Sequence, residues 1–248
     1  MQTYQFQPPK ITIAPASTSS GVVFETSFQR LADWYQAPQS GQTSDWYPNL
    51  PGVGRYGGWT TPSGQGDEII DAANYPLGSG GKGFRHYREN GTNANGGGLG
   101  IGLSSPVSKL WLRMYMRYSQ GFAWRNGSPH YIKDHYWRGN NQPIFGYYGG
   151  WGFYAAGNHG GSVTWNQSQG GSVGSGQWNC YEYYIDQTTG TLQFWFNGQL
   201  ALDKTGLSLG APGLGYFALG SNQNEVVGGL HYTDYDDIVI STAGRVGP

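Results

Sequence analysis

The nine residues His130-Tyr131-Ile132-Lys133-Asp134-His135-Tyr136-Trp137-Arg138 gather cations, ring bases and phenols within one short segment. Removing a proton from the carbon next to a carboxylate needs that set. A cation must neutralise the carboxylate, a base must take the proton, and an acid must protonate the departing oxygen. The segment contains every one of these residue types, Lys133 and His135 among them, with Trp137 and Arg138 beside them as candidates to hold substrate. An Asp-flanked histidine also serves as a structural anchor, so the segment has a purely architectural alternative.

A second constellation lies upstream. In Leu110–Tyr118, strict period-two alternation places Leu110, Leu112, Met114, Met116 and Tyr118 on one face. Trp111, Arg113, Tyr115 and Arg117 fall on the other. An outward Trp-Arg-Tyr-Arg row differs from an ordinary solvated face, which is built from Lys, Glu, Thr and Ser. In 178–185 the same alternation sets Tyr181, Tyr183 and Ile185 against Cys180, Glu182 and Tyr184. Leu192, Phe194 and Phe196 read as core, leaving Gln193 and Trp195 outside. If these strands share a sheet, its outer face is a basic aromatic groove, in which rings stack on sugars and Arg pairs with carboxylate or sulfate. The alternative is that another layer packs over these rings. Glycoside hydrolysis requires two carboxyl groups flanking the bond. Glu182 stands alone on its strand, with Asp134 as a distant second, so hydrolysis is disfavoured.

The elements that must position these residues are strands. Glycine and proline account for 43 and 13 of 248 residues, charged residues for 12% and aromatics for 16%, which excludes a helical bundle or a coiled coil. The length suits one domain with a sizeable core. No apolar stretch approaches the ~20 residues of a helical membrane span. The single cysteine, Cys180, excludes an internal disulfide and a cysteine-based zinc cage.

Residues 1–20, rich in Pro, Ser, Thr and Gln, read as an N-terminal arm, and 21–248 as the folded domain. Met1–Pro15 has no apolar leader core, so an extracellular or virion-associated location is expected either with a leader removed or by another route. Residues 82–138 hold nine cations against Glu89 and Asp134, in a chain of net charge −1. That segment predicts an anionic partner, the alternative being a solvated face balanced by acidic neighbours. No nucleic-acid motif appears.

Strands are expected at 22–28, 82–88, 110–118, 147–156, 163–165, 178–185, 191–196, 199–203, 216–219 and 235–241, with a long aromatic loop at 36–66. Asn197-Gly198 is a two-residue hairpin signal. About a dozen short strands in one domain predict an all-β sandwich or jelly roll.

Four segments carry a family resemblance: Phe24-Glu25-Thr26-Ser27-Phe28, Gln177-Trp178-Asn179-Cys180-Tyr181-Glu182, Phe194-Trp195-Phe196-Asn197-Gly198 and Tyr235-Asp236-Asp237-Ile238-Val239-Ile240-Ser241. Together they resemble the concanavalin A-like jelly rolls, with spacing nearest to the polysaccharide lyases of uronate polymers. The resemblance covers roughly residues 22–245 and rests on scaffold positions. It implies an all-β jelly roll of two packed antiparallel sheets. It also implies β-elimination on an anionic polysaccharide, with Lys133, His135, Tyr184 and Arg117 as catalytic candidates. Tyr147 and Tyr154 are further candidates for a tyrosine pair. Trp111, Arg113, Tyr115, Glu182, Trp195, Trp137 and Arg138 are the substrate-binding candidates. The Arg-x-Glu-Leu-Arg and Gln-Ile-His signatures of alginate lyases are missing. In such a fold the last strand lies beside the first, so Glu25, Asp236 and Asp237 are candidate ligands of a structural Ca²⁺, which takes oxygen donors. The partner expected is a polysaccharide, with no nucleic acid and no membrane, and the chain a monomer. Alternative functions are a non-catalytic carbohydrate-binding domain, a glycoside hydrolase, or a viral structural jelly roll.

Overall fold

The computed structural model describes residues 21–36, 46–50, 52–56, 67–71, 81–90, 98–122, 131–137, 144–148, 152–157, 161–166, 176–220 and 228–248. Among these lie seventeen strands. In chain order they are β1 (Val22–Thr26), β2 (Trp34–Gln36), β3 (Trp46–Pro48), β4 (Val53–Tyr56), β5 (Asp67–Asp71), β6 (Lys82–Asn90), β7 (Gly98–Val107), β8 (Lys109–Tyr118), β9 (Tyr131–Trp137), β10 (Ile144–Tyr148), β11 (Gly152–Gly157), β12 (Gly161–Asn166), β13 (Asn179–Asp186), β14 (Thr191–Phe196), β15 (Gln199–Lys204), β16 (Leu214–Leu219) and β17 (Leu230–Ser241). One short 3-10 turn, Leu31–Asp33, precedes β2.

Two antiparallel sheets face each other. The first is eight-stranded, in the order β15-β14-β13-β8-β17-β6-β5, with β1 also paired to β17. The second is seven-stranded, in the order β12-β11-β10-β9-β16-β7-β4. Non-sequential neighbours such as β8 beside β17, and β9 beside β16, are the crossovers of a jelly roll.

Alternation in β8, β13 and β14 dictates the core. Leu112, Met114 and Met116 enter from β8, Tyr181 and Tyr183 from β13, and Phe194 from β14, all fully buried. Leu99, Ile101, Trp137, Phe217 and Leu219 enter from the second sheet. Each such side chain contributes roughly 1.5–3 kcal/mol by leaving water. The expected inward and outward sets of these three strands are those observed, and the strands are neighbours in one sheet. Asn197 and Gly198 both take positive φ, 49° and 81°, as a type I′ hairpin between β14 and β15 requires.

The long strand β17 changes partner midway. Leu230–Tyr235 pair with β6, and Ile238–Ser241 with β1. Between them the register slips and Asp237 adopts φ 45°. Beside that junction the Gln29 side chain accepts from the Lys82 amide at 3.1 Å and donates to the Lys82 carbonyl at 3.4 Å, completing the entry to β6.

Several expectations are corrected. The expected loop at 36–66 contains β3 and β4 and the end of β2. Gly98 opens β7, a ten-residue strand that is not among those expected. The single strand expected at 147–156 is a hairpin of β10 and β11. The segment 131–137 is strand β9, with a register shift opposite Phe145 and Gly146. The arm at 1–20 lies outside the described residues.

Candidate functional site

The outer face of the first sheet carries the Trp-Arg-Tyr-Arg row, and that face is closed by ion pairs. Asp234, fully buried, lies on the same face of β17. Arg117 donates to its Oδ2 from Nε at 2.8 Å and Nη2 at 2.6 Å. Arg85 donates to Oδ1 at 2.7 Å and to Oδ2 at 3.1 Å. Burial alone lowers the basicity of Arg85, but the Asp234 carboxylate outweighs it, so the guanidinium stays charged. Arg117 also lies over Trp178 at 4.7 Å, and Arg85 over Tyr232 at 3.5 Å. Arg113 pairs with Asp237 at 2.8 Å and donates to the Gly247 carbonyl at 3.3 Å.

The C-terminal segment covers the rest of the row. Arg245 forks onto Glu182, at 2.9 Å from Nε and 2.6 Å from Nη2, while its guanidinium lies 4.5 Å from the Trp195 ring. Tyr115 is buried with Trp178 and Cys180. Burial raises the pKa of both the Tyr115 phenol and the Cys180 thiol, so neither ionises near neutrality. The groove expected here is thus an ionic layer. Trp111 and Tyr184 remain partly exposed at one end, stacked with centroids 4.6 Å apart. Glu182 is engaged by Arg245.

The remaining expected site residues are dispersed. His135 is fully buried between the sheets. Its Nε2 meets the Tyr183 hydroxyl at 2.9 Å, and its ring packs on Phe217. Burial, helped by the nearby Arg88, holds its pKa well below the usual histidine value, so the ring is neutral. Trp137 is a core residue against Phe217. Arg138 lies outside the described residues. Arg117 and Tyr184 are on one sheet and Lys133 on the other, so the four catalytic candidates are not brought together.

Lys133 lies in a different neighbourhood. The register runs Lys133, Gly146, Tyr154 and Thr164 across β9, β10, β11 and β12 as one row of backbone positions. The adjoining row is His135, Phe145, Ala155 and Val163, with Leu219 of β16 on the other side of His135. A third row runs Gly54, Gly100, Ala218, Tyr136 and Ile144. A Cβ at Gly100 would collide with the Tyr216 hydroxyl, so that side chain lies flat over the glycine. Sequence reading named Lys133 and Tyr154 but could not align them, because strand register is not local information.

The three calcium candidates lie on the paired strands β1 and β17. Glu25 pairs in register with Val239, one residue past the partner of Thr26, Ile238. Asp237 is committed to Arg113. Asp236 is fully buried, accepts the Asp237 amide at 2.7 Å on Oδ1, and has no hydrogen-bond partner on Oδ2. Burial raises its pKa to about 8. Among the described residues, no group of three or more His, Cys, Asp or Glu converges on one point.

The two sheets and their crossovers define a jelly roll. No protein-family model matches the chain, and no curated protein matches it. Solved structures do. The cellulose-induced protein Cip1 is similar with a TM-score of 0.57 at 15% identity, over 91% of this chain and 99% of its own. The binding domain of botulinum neurotoxin serotype D/C is similar with a TM-score of 0.53 at 10% identity, over 91% of this chain. A structure of botulinum neurotoxin type C, whose cell entry is described as dependent upon interaction with two ganglioside molecules, has a TM-score of 0.53 at 10% identity, over 89% of this chain. The chain spans about half of these toxin domains, 49% and 47%. At such identities the likeness shows the fold.

Proposed function

We propose that this is a carbohydrate-active jelly-roll protein, a polysaccharide lyase that cleaves an anionic, uronate-containing polymer on the seven-stranded sheet. The observation that carries this reading is the row Lys133, Gly146, Tyr154, Thr164, which aligns a cation and a phenol two strands apart, roughly 10 Å between backbones. Gly146 between them carries no side chain to obstruct a polymer approaching the backbone.

In the proposed reaction Lys133 neutralises the uronate carboxylate, which acidifies the neighbouring C–H. A tyrosine, Tyr154 in our reading, takes that proton as a phenolate. The electron pair forms a carbon–carbon double bond, the glycosidic C–O bond breaks, and the leaving oxygen collects a proton from the phenol. Arg113 and Arg117 take no part, since Asp237 and Asp234 already hold them. His135 acts as a core residue. A structural Ca²⁺ remains part of the proposal, supported by the Asp236 oxygen that lacks a hydrogen bond. Asp236 with Glu25 and nearby carbonyls would hold it.

The test is ultraviolet absorbance on mixing the protein with alginate, glucuronan, pectate, ulvan and glycosaminoglycans. Unsaturated product that disappears in Lys133→Ala is the expected result. New reducing ends without that absorbance would mean hydrolysis and overturn the lyase reading. The toxin binding domains favour a second reading, a binding domain without chemistry. Retardation by a polymer in an affinity gel with no product of either kind would select it.

A further inference from the structure

We propose that the opposite face, the outside of the eight-stranded sheet, carries a second glycan site: a platform for neutral, hydroxyl-rich polysaccharide on Trp111, Tyr184, Gln193 and Asp203. These four residues are in register across β8, β13, β14 and β15. Three strand spacings of about 4.8 Å give a row roughly 14 Å long, over which several sugars of an extended chain can lie. The proposal goes beyond the lyase reading, because it concerns another face and involves no chemistry.

The row is preorganised. The Trp111 and Tyr184 rings stack at 25°. The Tyr184 hydroxyl donates to Asp186 Oδ2 at 3.1 Å, and Asp186 Oδ1 accepts the amides of Thr188 and Thr189 at 2.8 and 3.2 Å. The aromatic pair is therefore anchored through its phenol to a turn, and little side-chain freedom is lost on binding. Burial would raise the Asp186 pKa, but those amides and the phenol outweigh it and keep the carboxylate ionised. Gln193 Nε2 donates to Asp203 Oδ1 at 3.1 Å, which orients an amide oxygen and a carboxylate along the row as acceptors for sugar hydroxyls.

Charge selects the ligand. In the next row Arg113 is paired with Asp237, and Arg245 with Glu182 while it covers Trp195. Lys109, at the rim, sits in register with Asp186. The row itself presents an amide and a carboxylate, which suit hydroxyl groups and repel a uronate chain.

The experiment is retention of the protein on insoluble cellulose and xylan, and on mixed-linkage glucan in an affinity gel, with pectate and alginate as anionic controls. Wild type and Lys133→Ala are expected to bind at least one neutral polymer alike. Trp111→Ala is expected to weaken that binding about tenfold and Gln193→Ala several-fold. Gln193 is on the solvent side, so its variant keeps the test valid if Trp111→Ala fails to fold. Failure of wild type to bind any neutral polymer would overturn the proposal, as would undiminished binding by Gln193→Ala and a folded Trp111→Ala. Neither result touches the lyase reading, which stands or falls on Lys133 and unsaturated product.

Discussion

Replacing Asp234 with Asn tests whether the arginines of β8 and β6 are structural or available to substrate. The substitution keeps the shape of the side chain and removes its charge. Arg85 and Arg117, each holding Asp234 through two nitrogens, would then face each other across an amide. Breaking a buried pair costs 3–5 kcal/mol when a partner charge is left behind. The two arginine side chains are 17% and 10% exposed, and their contacts with Tyr232 and Trp178 survive, so the lower end applies, about 3 kcal/mol. In a fold stable by roughly 5–15 kcal/mol that is a large fraction. Urea unfolding should show a lower midpoint with an unchanged slope. The melting temperature should fall by about 6–12 °C, at roughly 2–4 °C per kcal/mol for a domain of this size. Affinity for uronate polymers should not change. A loss below ~1 kcal/mol would refute the structural role, given the expected ~3. So would a gain in affinity for anionic polymer that a further Arg117→Gln removes, since that would mean Asp234 merely masks a binding cation.

Arg245→Ala should destabilise by about 2 kcal/mol, because Glu182 is left buried, while Glu182→Gln with Arg245→Met should be milder than the singles combined; a denaturation double-mutant cycle with zero coupling would contradict the clasp. Gly100→Ala should cost about 1–3 kcal/mol by pushing Tyr216 off the sheet, and Tyr216→Ala should relieve most of it in calorimetry. The depressed pKa of His135 means that the unfolded chain binds a proton the fold excludes, so stability is lost as pH falls from about 6.5 toward the folded value, by up to ~1.4 kcal/mol per pH unit. Its imidazole resonance should stay neutral in NMR titrations where an exposed histidine titrates. Calcium should raise the melting temperature of wild type and not of Asp236→Asn, and an equal response in both would remove Asp236 from any calcium site.

The legible parts of the fold were those written in local alternation. Leu112, Met114 and Met116 against Arg113, Tyr115 and Arg117 assigned two faces correctly, and Asn197-Gly198 located its hairpin. β7 escaped because the Gly96-Gly97-Gly98 run reads as a turn signal at its start, and because Gly100, which the ring of Tyr216 requires, weakens the strand pattern. His135 and Trp137 looked functional by type, yet their spacing from one another is that of two inward residues on one strand, and both are buried. The ionic closure of the outer face was missed because its members are remote: Asp234 is 117 residues from Arg117, and Arg245 is 63 from Glu182. The Tyr-Thr-Asp-Tyr-Asp run of β17 carried a usable hint, since its aspartates share a face at period two and must meet whatever lies across the neighbouring strand.

The outer face of the eight-stranded sheet is closed at its centre. On the eight-stranded sheet each strand of the centre contributes a charge matched by its neighbour: Arg85 and Arg117 by Asp234, Arg113 by Asp237, and Glu182 by the C-terminal Arg245. Such a layer holds β6, β17, β8 and β13 in register, since a slip of one residue would turn these charges into the core. It also uses up the cations that an anionic polymer would need. The proposed recognition of a uronate would then draw on cations elsewhere, and Lys133 lies on the other sheet, in a row of backbone positions with Tyr154. A chain whose basic segment looked like one groove has thus divided it, part into scaffold on one sheet and part into the proposed chemistry on the other.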